Sequence, residues 1–443
     1  MVHTRTAGAL VLPVIVGAEF LLQLDTTVVT VALPEVQAHF GVGVPAGSWL
    51  VNGFLLAFGG LLLPAGRLGD VLGHRRVFLL GVALLAVASL AAGLAPGFGF
   101  LLAARVAQGA AAALAGPAGL ALLTSVFAGD RAQRAFGVYA AVTGFGSAAG
   151  MVLGGVLTST AGWRWSFLVT VPVAAALALV GRTVLPPGET RTARPVGLPA
   201  LVAALGLAAG VHGLVRAAES GWASGWTIGP LVVAVLLLGL FVPLDRRAAD
   251  PLLPARVVAD RVRLGAFACL FLLAAVLGPY LFFLSQYLHA GLGFGPLGTG
   301  FALLPFAVAL LVAARFGPLV RVRPGVRGVG GLVVVAVGMA WLSRVEGGYP
   351  TGVLPQLVVI GLGVGLAVVP FTVLALSSAP PSDAGVTAGV AQTALTVGSL
   401  LGLAVLLLPF GAARGNPFGA AFAWGAGVAL LGVVVAAAGL RRS

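Results

Sequence analysis

Two carboxylates stand six residues apart in GAEFLLQLDTTVVTVALPE (residues 17–35), Glu19 and Asp25, and most of their neighbours are apolar. A carboxyl group in such surroundings can exchange a proton, or it can act as the counter-charge of a cation. Holding a charge at the centre of a bilayer costs about 2.5–3.5 kcal/mol on insertion scales, so an acid kept there is a functional candidate. A fixed hydrogen-bonding acid, locked against a neighbouring helix, is the other reading. One cation lies within an apolar run as well: Arg105, which opens RVAQGAAAA (residues 105–113).

The elements that must hold these groups are set by composition. The chain has 443 residues, 60% of them hydrophobic and only 8% charged. Soluble domains carry about 25% charged residues. This chain cannot cover itself with polar surface, so it reads as an all-α integral membrane protein. Its formal net charge is +13 and every basic residue except the five His is Arg. The arginines are spread through short connections and form no single face, which excludes a nucleic-acid footprint. One cysteine, Cys269, allows no internal disulfide and no thiolate metal cluster. There is no His/Glu metal spacing, phosphate loop or nucleophile beside a base, so neither an enzyme nor a metal or organic cofactor is expected. The expected partners are the lipid bilayer and a small molecule.

A spanning helix needs about 20 apolar residues. Fourteen such runs are legible, near 9–33, 47–66, 77–95, 99–127, 136–160, 165–185, 196–216, 227–244, 264–288, 297–315, 328–343, 353–376, 386–409 and 418–440. The first has a basic start and no small-residue cleavage site after it, so it reads as a spanning helix and not a removable signal. With fourteen spans, twenty arginines fall in the connections and termini of one side and four, Arg164, Arg216, Arg344 and Arg414, on the other. The positive-inside rule then puts both termini in the cytoplasm of a multi-pass cell-membrane protein. Two long Arg-bearing connections, RTVLPPGETRTARPVGLP and DRRAADPLLPARVVADRVR, flank the seventh and eighth runs. The expected organisation is a six-helix bundle in 1–185, a linker region with two extra helices in 186–263, and a second six-helix bundle in 264–443.

Helix rise gives depths. If the first run starts near residue 9, Glu19 lies about 15 Å and Asp25 about 24 Å from its start. Asp25 is then about 12 Å, and Arg105 about 9 Å, from the opposite surface. An Asp25–Arg105 pair is therefore geometrically allowed. Six residues turn a helix by about 240° after one full turn, so the two acids do not share a narrow face. A paired Asp25 and an unpaired Glu19 would do different jobs, Asp25 coupling conformation through Arg105 and Glu19 exchanging the proton or meeting a cation.

Between the second and third runs lies GRLGDVLGHRRVF (residues 66–78). Small residues let two helix ends approach, and Asp70 with Arg75 and Arg76 can latch them across the turn. This loop resembles the signature of the major facilitator superfamily, Gly-x-Leu-x-Asp-Arg-x-Gly-Arg-Lys/Arg. Gly66, Leu68, Asp70, Gly73 and Arg75 match, while Val71 and His74 replace two basic residues. RVAQGAAAA resembles the family's Arg-x-x-Gln-Gly motif. GVYAAVTGFGSAAGMVLGG resembles its antiporter motif through Gly137, Gly146, Gly150, Gly154 and Gly155, with Met151 where a Pro is usual. LDTTVVTVALP and WRWSFLVTVPV resemble elements of the fourteen-helix drug:proton antiporter branch. The second half carries only an echo, GPLVRVRPGVR, with Arg321 in place of the acid. The resemblance implies two six-helix bundles with two extra central helices, and a monomer. It also implies alternating-access efflux of lipophilic or cationic compounds with protons as the coupling ion. By the same resemblance, Asn52, Gln108 and Gln286 sit on helices that border the substrate cavity. An exporter or facilitator of the same fold without proton coupling is the alternative.

Overall fold

Long apolar runs in lipid have one way to satisfy their backbone N–H and C=O groups without partners from elsewhere, which is the α-helix. The computed structural model describes residues 2–127, 130–186, 197–248, 251, 257, 259–319, 322–345, 347–377, 384–413 and 415–439, and among them it has helices and no strand. The side chains of Arg67 and Asp70, and the surroundings of Gly137, also lie outside what is described. The helices are α1 (Val2–Phe40), α2 (Val44–Leu72), α3 (His74–Gly93), α4 (Phe98–Val126) and α5 (Asp130–Ala161). Next come α6 (Trp165–Val184), α7 (Leu198–Ser220) and α8 (Gly225–Arg247). The rest are α9 (Arg261–Ala290), α10 (Pro296–Phe316), α11 (Pro324–Leu342), α12 (Leu354–Ser377), α13 (Ala384–Ala412) and α14 (Pro417–Gly439).

Thirteen of these are long and apolar enough to cross a membrane. The other, α5, has a shorter apolar stretch, Phe145–Ala161, within its 32 residues. Each expected run therefore falls on one helix. Three details differ from the sequence reading. The first helix extends to Phe40, well past residue 33, because Pro34 does not stop it. The sixth is two helical pieces, Trp165–Leu168 and Thr170–Val184, with a turn at Val169. A π-helical turn at Tyr349–Val353 leads into α12.

Contacts divide the chain into two compact units, residues 1–204 with 295–301, and residues 205–294 with 302–443. The first holds α1–α6, the start of α7 and the start of α10; the second holds most of α7, then α8, α9, the rest of α10 and α11–α14. The same pairings recur inside each. In the first unit α1 packs on α5, α3 on α4, α3 on α6 and α1 on α6. In the second, α9 packs on α13, α11 on α12, α11 on α14 and α9 on α14. An internal duplication of one six-helix plan gives this correspondence.

Lipid supplies no hydrophobic drive between helices, so close packing of small residues has to hold them. The α1–α5 seam shows it. A Cβ at Gly150 would run into Thr27 Oγ1 and sit 3.1 Å from Leu24 Cα, and one at Gly154 would sit 3.0 Å from Val28 Cα. The α9–α13 seam repeats the device, with Gly398 and Gly402 against the carbonyls of Phe271 and Ala275. GLGVGLAVVP on α12 is a packing surface: Gly361 and Gly365 meet α10, while Gly363 meets α11 at Gly331. The helix runs unbroken through this segment.

Candidate functional site

Asp25 is fully buried on α1 and both its oxygens are engaged. Arg105 Nη1, from α4, donates to Oδ2 at 2.6 Å. Gln108 Nε2, one turn further along α4, donates to Oδ1 at 2.7 Å. The spacing of three residues puts Arg105 and Gln108 on one face of the helix. Arg105 also donates from Nε to the Leu50 carbonyl of α2 at 3.0 Å, and its guanidinium lies 4.5 Å from the centre of the Phe54 ring. Gln108 reaches Ser89 of α3 at 2.9 Å. Four helices are thus tied at one buried point. Opposite charges and saturated hydrogen bonds are what make a buried pair tolerable.

Glu19 faces elsewhere, as the rotation along α1 requires. Gln23 Nε2 donates to Oε1 at 2.7 Å and Thr143 Oγ1 to the same oxygen at 3.1 Å. Tyr139 Oη donates to Oε2 at 2.6 Å. Tyr139 and Thr143 belong to α5, the helix whose glycines press on α1. The expectation of an unpaired Glu19 is corrected in this respect: it has three neutral donors. Among the described residues no cation pairs with it. The residue is 7% exposed. Ser147 continues the ladder, donating to Gln23 Oε1 at 3.3 Å.

These partners were missed from sequence, although the signal was present. Glu19, Gln23 and Thr27 recur every four residues on α1, and Tyr139, Thr143 and Ser147 every four on α5. Two polar rows of the same period, one beside a glycine stripe, mark helices that meet along them.

The other expected site residues divide. Gln108 belongs to the Asp25 network and is fully buried, so its amide is committed there. Asn52 is fully buried on α2, and among the described residues neither amide atom has a hydrogen-bond partner. Gln286 is buried on α9. Gly146 meets Phe20 and Gln23 of α1. Gly155 faces Pro296 and Leu297, residues of the same compact unit. Gly137 lies on α5 with its surroundings outside the described residues.

In the loop after α2, Gly73 has φ +89°, a left-handed conformation that glycine adopts without strain, and it turns the chain from α2 into α3. Gly66 has open space around it. Arg75 donates to the carbonyl of Arg182 at the end of α6, while Arg76 is exposed. The side chain of Asp70 lies outside the described residues. In the echo loop Arg327 donates to the Gly317 carbonyl at 3.0 Å, bridging α11 to the turn after α10.

A family model described as Major Facilitator Superfamily matches residues 15–403. The puromycin resistance protein pur8 of Streptomyces alboniger is 42% identical over 409 residues, 89% of this chain and 80% of that protein. The cephamycin export protein CmcT of Amycolatopsis lactamdurans is 38% identical over 415 residues, 90% of this chain and 85% of that one. The solved structure of the POT family transporter PepTSo superposes with a TM-score of 0.74 at 14% identity, covering 97% of both chains. That last likeness concerns the fold.

Proposed function

The chain belongs to the Major Facilitator Superfamily, and we propose that it is a proton-coupled exporter of lipophilic or cationic small molecules, moving them by alternating access. Relatives named for puromycin, tetracenomycin C and lincomycin resistance support efflux of antibiotic-like compounds. In this reading the protein sits in the cell membrane with both termini in the cytoplasm, works as a monomer, performs no covalent chemistry and uses protons as its coupling ion.

One observation carries the coupling. Of two acids at membrane depth, Asp25 is neutralised by Arg105, whereas Glu19 meets only neutral donors. A charge without a counter-charge in a bundle interior is the group that gains most from taking a proton or a cationic substrate. Glu19 is accordingly the exchangeable site, and the Asp25–Arg105–Gln108 cluster is the joint on which α1 to α4 move together. By the family resemblance, Gly66, Asp70, Gly73, Arg75 and Arg76 serve as the conformational latch at the α2–α3 turn, from which Arg75 reaches the Arg182 carbonyl of α6. Asn52, with its unpartnered amide, is the foremost polar candidate for substrate contact, and Gln286 is the second.

Vesicles containing the intact protein, loaded with a fluorescent lipophilic cation and given a pH gradient, test this reading. Transport should stop when an ionophore collapses the gradient. Transport that continues undiminished would favour the uncoupled exporter, the reading to which Met151 in the antiporter motif lends itself.

A further inference from the structure

Between Leu10 and Leu33, α1 carries six polar side chains: Glu19, Gln23, Asp25, Thr26, Thr27 and Thr30. Two of them are used in holding helices together. Asp25 is committed to Arg105 and Gln108, and Thr27 packs where α5 brings Gly150 against it. The other four stand at the spacing i, i+4, i+7, i+11. That spacing puts Glu19, Gln23, Thr26 and Thr30 within about 60° of arc, on one face about 16 Å long. Gln23, Thr26 and Thr30 are half-buried, in contrast with the fully buried Asp25, Gln108 and Asn52. Lipid offers a polar side chain nothing to bond, and an acid at membrane depth turns to the bundle interior or to a water-filled passage. The face that holds Glu19 is therefore the one α1 turns to such a passage.

Its chemistry is graded along the helix. Glu19 takes two donors on Oε1 and one on Oε2, which leaves Oε2 a further acceptor site for a cation. Gln23 gives one N–H to Glu19; an amide has a second, and its Oε1 meets Ser147 only at 3.3 Å. Thr26 donates to its own helix, to the Gln23 carbonyl at 2.8 Å, and keeps both oxygen lone pairs. Gln23 and Thr26 lie about 6 and 10 Å from Glu19 along the axis.

We infer that Glu19, Gln23 and Thr26 form one substrate subsite, and that it prefers an organic cation with a hydrogen-bonding group about 6–10 Å from the charged centre. The inference rests on the exporter reading and narrows its substrate class: the cation meets Glu19, and a hydroxyl, ether or amide further along the molecule meets Gln23 and Thr26. A purely apolar cation uses the charged end alone. The sign of the preference is diagnostic. Against an apolar wall an added hydroxyl weakens binding, because a polar group buried without a partner costs free energy; against this face it strengthens binding.

A matched pair of cations tests this, hexyltriphenylphosphonium and its 6-hydroxyhexyl counterpart, titrated calorimetrically into the full chain in lipid nanodiscs. The hydroxylated cation should bind about 3–10-fold more tightly, the effect of one hydrogen bond. In Thr26→Val, which keeps the side-chain shape, the preference should fall within about twofold, while the apolar cation binds as before. Thr26→Ser should keep the preference. Glu19→Gln should weaken both cations alike. Equal or weaker binding of the hydroxylated cation by the intact protein would overturn the inference, as would a preference that survives in Thr26→Val. Equal losses for both cations in Thr26→Val would make Thr26 a structural residue and also overturn it. In each of these cases a Glu19-dependent affinity would leave Glu19 standing as the counter-charge. Unchanged affinities in Glu19→Gln would instead remove the charged end of the subsite, and the inference with it.

Discussion

Breaking the Asp25–Arg105 pair from one side should cost more than removing it altogether. The pair is 1% exposed at Asp25 and 2% at Arg105, measured on the side chains. Replacing Asp25 with Leu leaves a guanidinium in the bundle with only the Leu50 carbonyl, Gln108 and the Phe54 ring. Replacing Arg105 with Met leaves a carboxylate with only Gln108. Each lone buried charge costs about 3–5 kcal/mol. Independent effects would sum to about 6–10 kcal/mol in the double variant. A pair whose attraction mainly offsets its own desolvation predicts otherwise. Asp25→Leu with Arg105→Met should cost less than either single change, because similar-sized apolar side chains replace buried ion pairs at little loss. Gln108 and Ser89 would keep their mutual bond at 2.9 Å. Reversible unfolding in mixed detergent micelles, run on all four proteins, measures the cycle. A double variant as costly as the sum would refute the argument that the two charges sustain each other.

Other expectations follow from single contacts. Gly150→Ala should destabilise the protein by about 1–3 kcal/mol through overpacking, and Thr27→Ala should restore only part of this because Leu24 backbone also stands in the way. Micelle unfolding checks both. Gly73→Ala forces a side chain into a left-handed conformation and should cost roughly 1–3 kcal/mol. Residues 264–443 contain two acids, Glu346 and Asp383, neither of them within an apolar run long enough to span, so proton counting against substrate flux should give one proton per cycle. Two protons would require an acid beyond Glu19 to exchange.

Much of the bundle was legible because lipid imposes its own grammar. Each apolar run had to be a helix, and the fourteen helices match those runs in order; the arginine asymmetry supported the count. The Asp25–Arg105 contact was within reach because depth along a helix is a single number. Its companion Gln108 was visible too, three residues from Arg105, but was read as a cavity residue; only the position of α3 and α1 shows its amide consumed by Asp25 and Ser89. The α5 donors of Glu19, Tyr139 and Thr143, were not named, since which face of α5 meets α1 depends on packing between helices more than a hundred residues apart. The turn at Val169 had a marker that was not read, Pro172, which lacks the N–H that would bond the Leu168 carbonyl four residues earlier.

Uphill transport by the purified protein and its Glu19→Gln variant in the same vesicles is the most direct measurement of the central claim. An imposed pH gradient should drive accumulation of a lipophilic cation in the intact protein. In the variant it should drive none, while downhill exchange of the cation persists. Gradient-driven accumulation at the intact rate in Glu19→Gln would contradict the account.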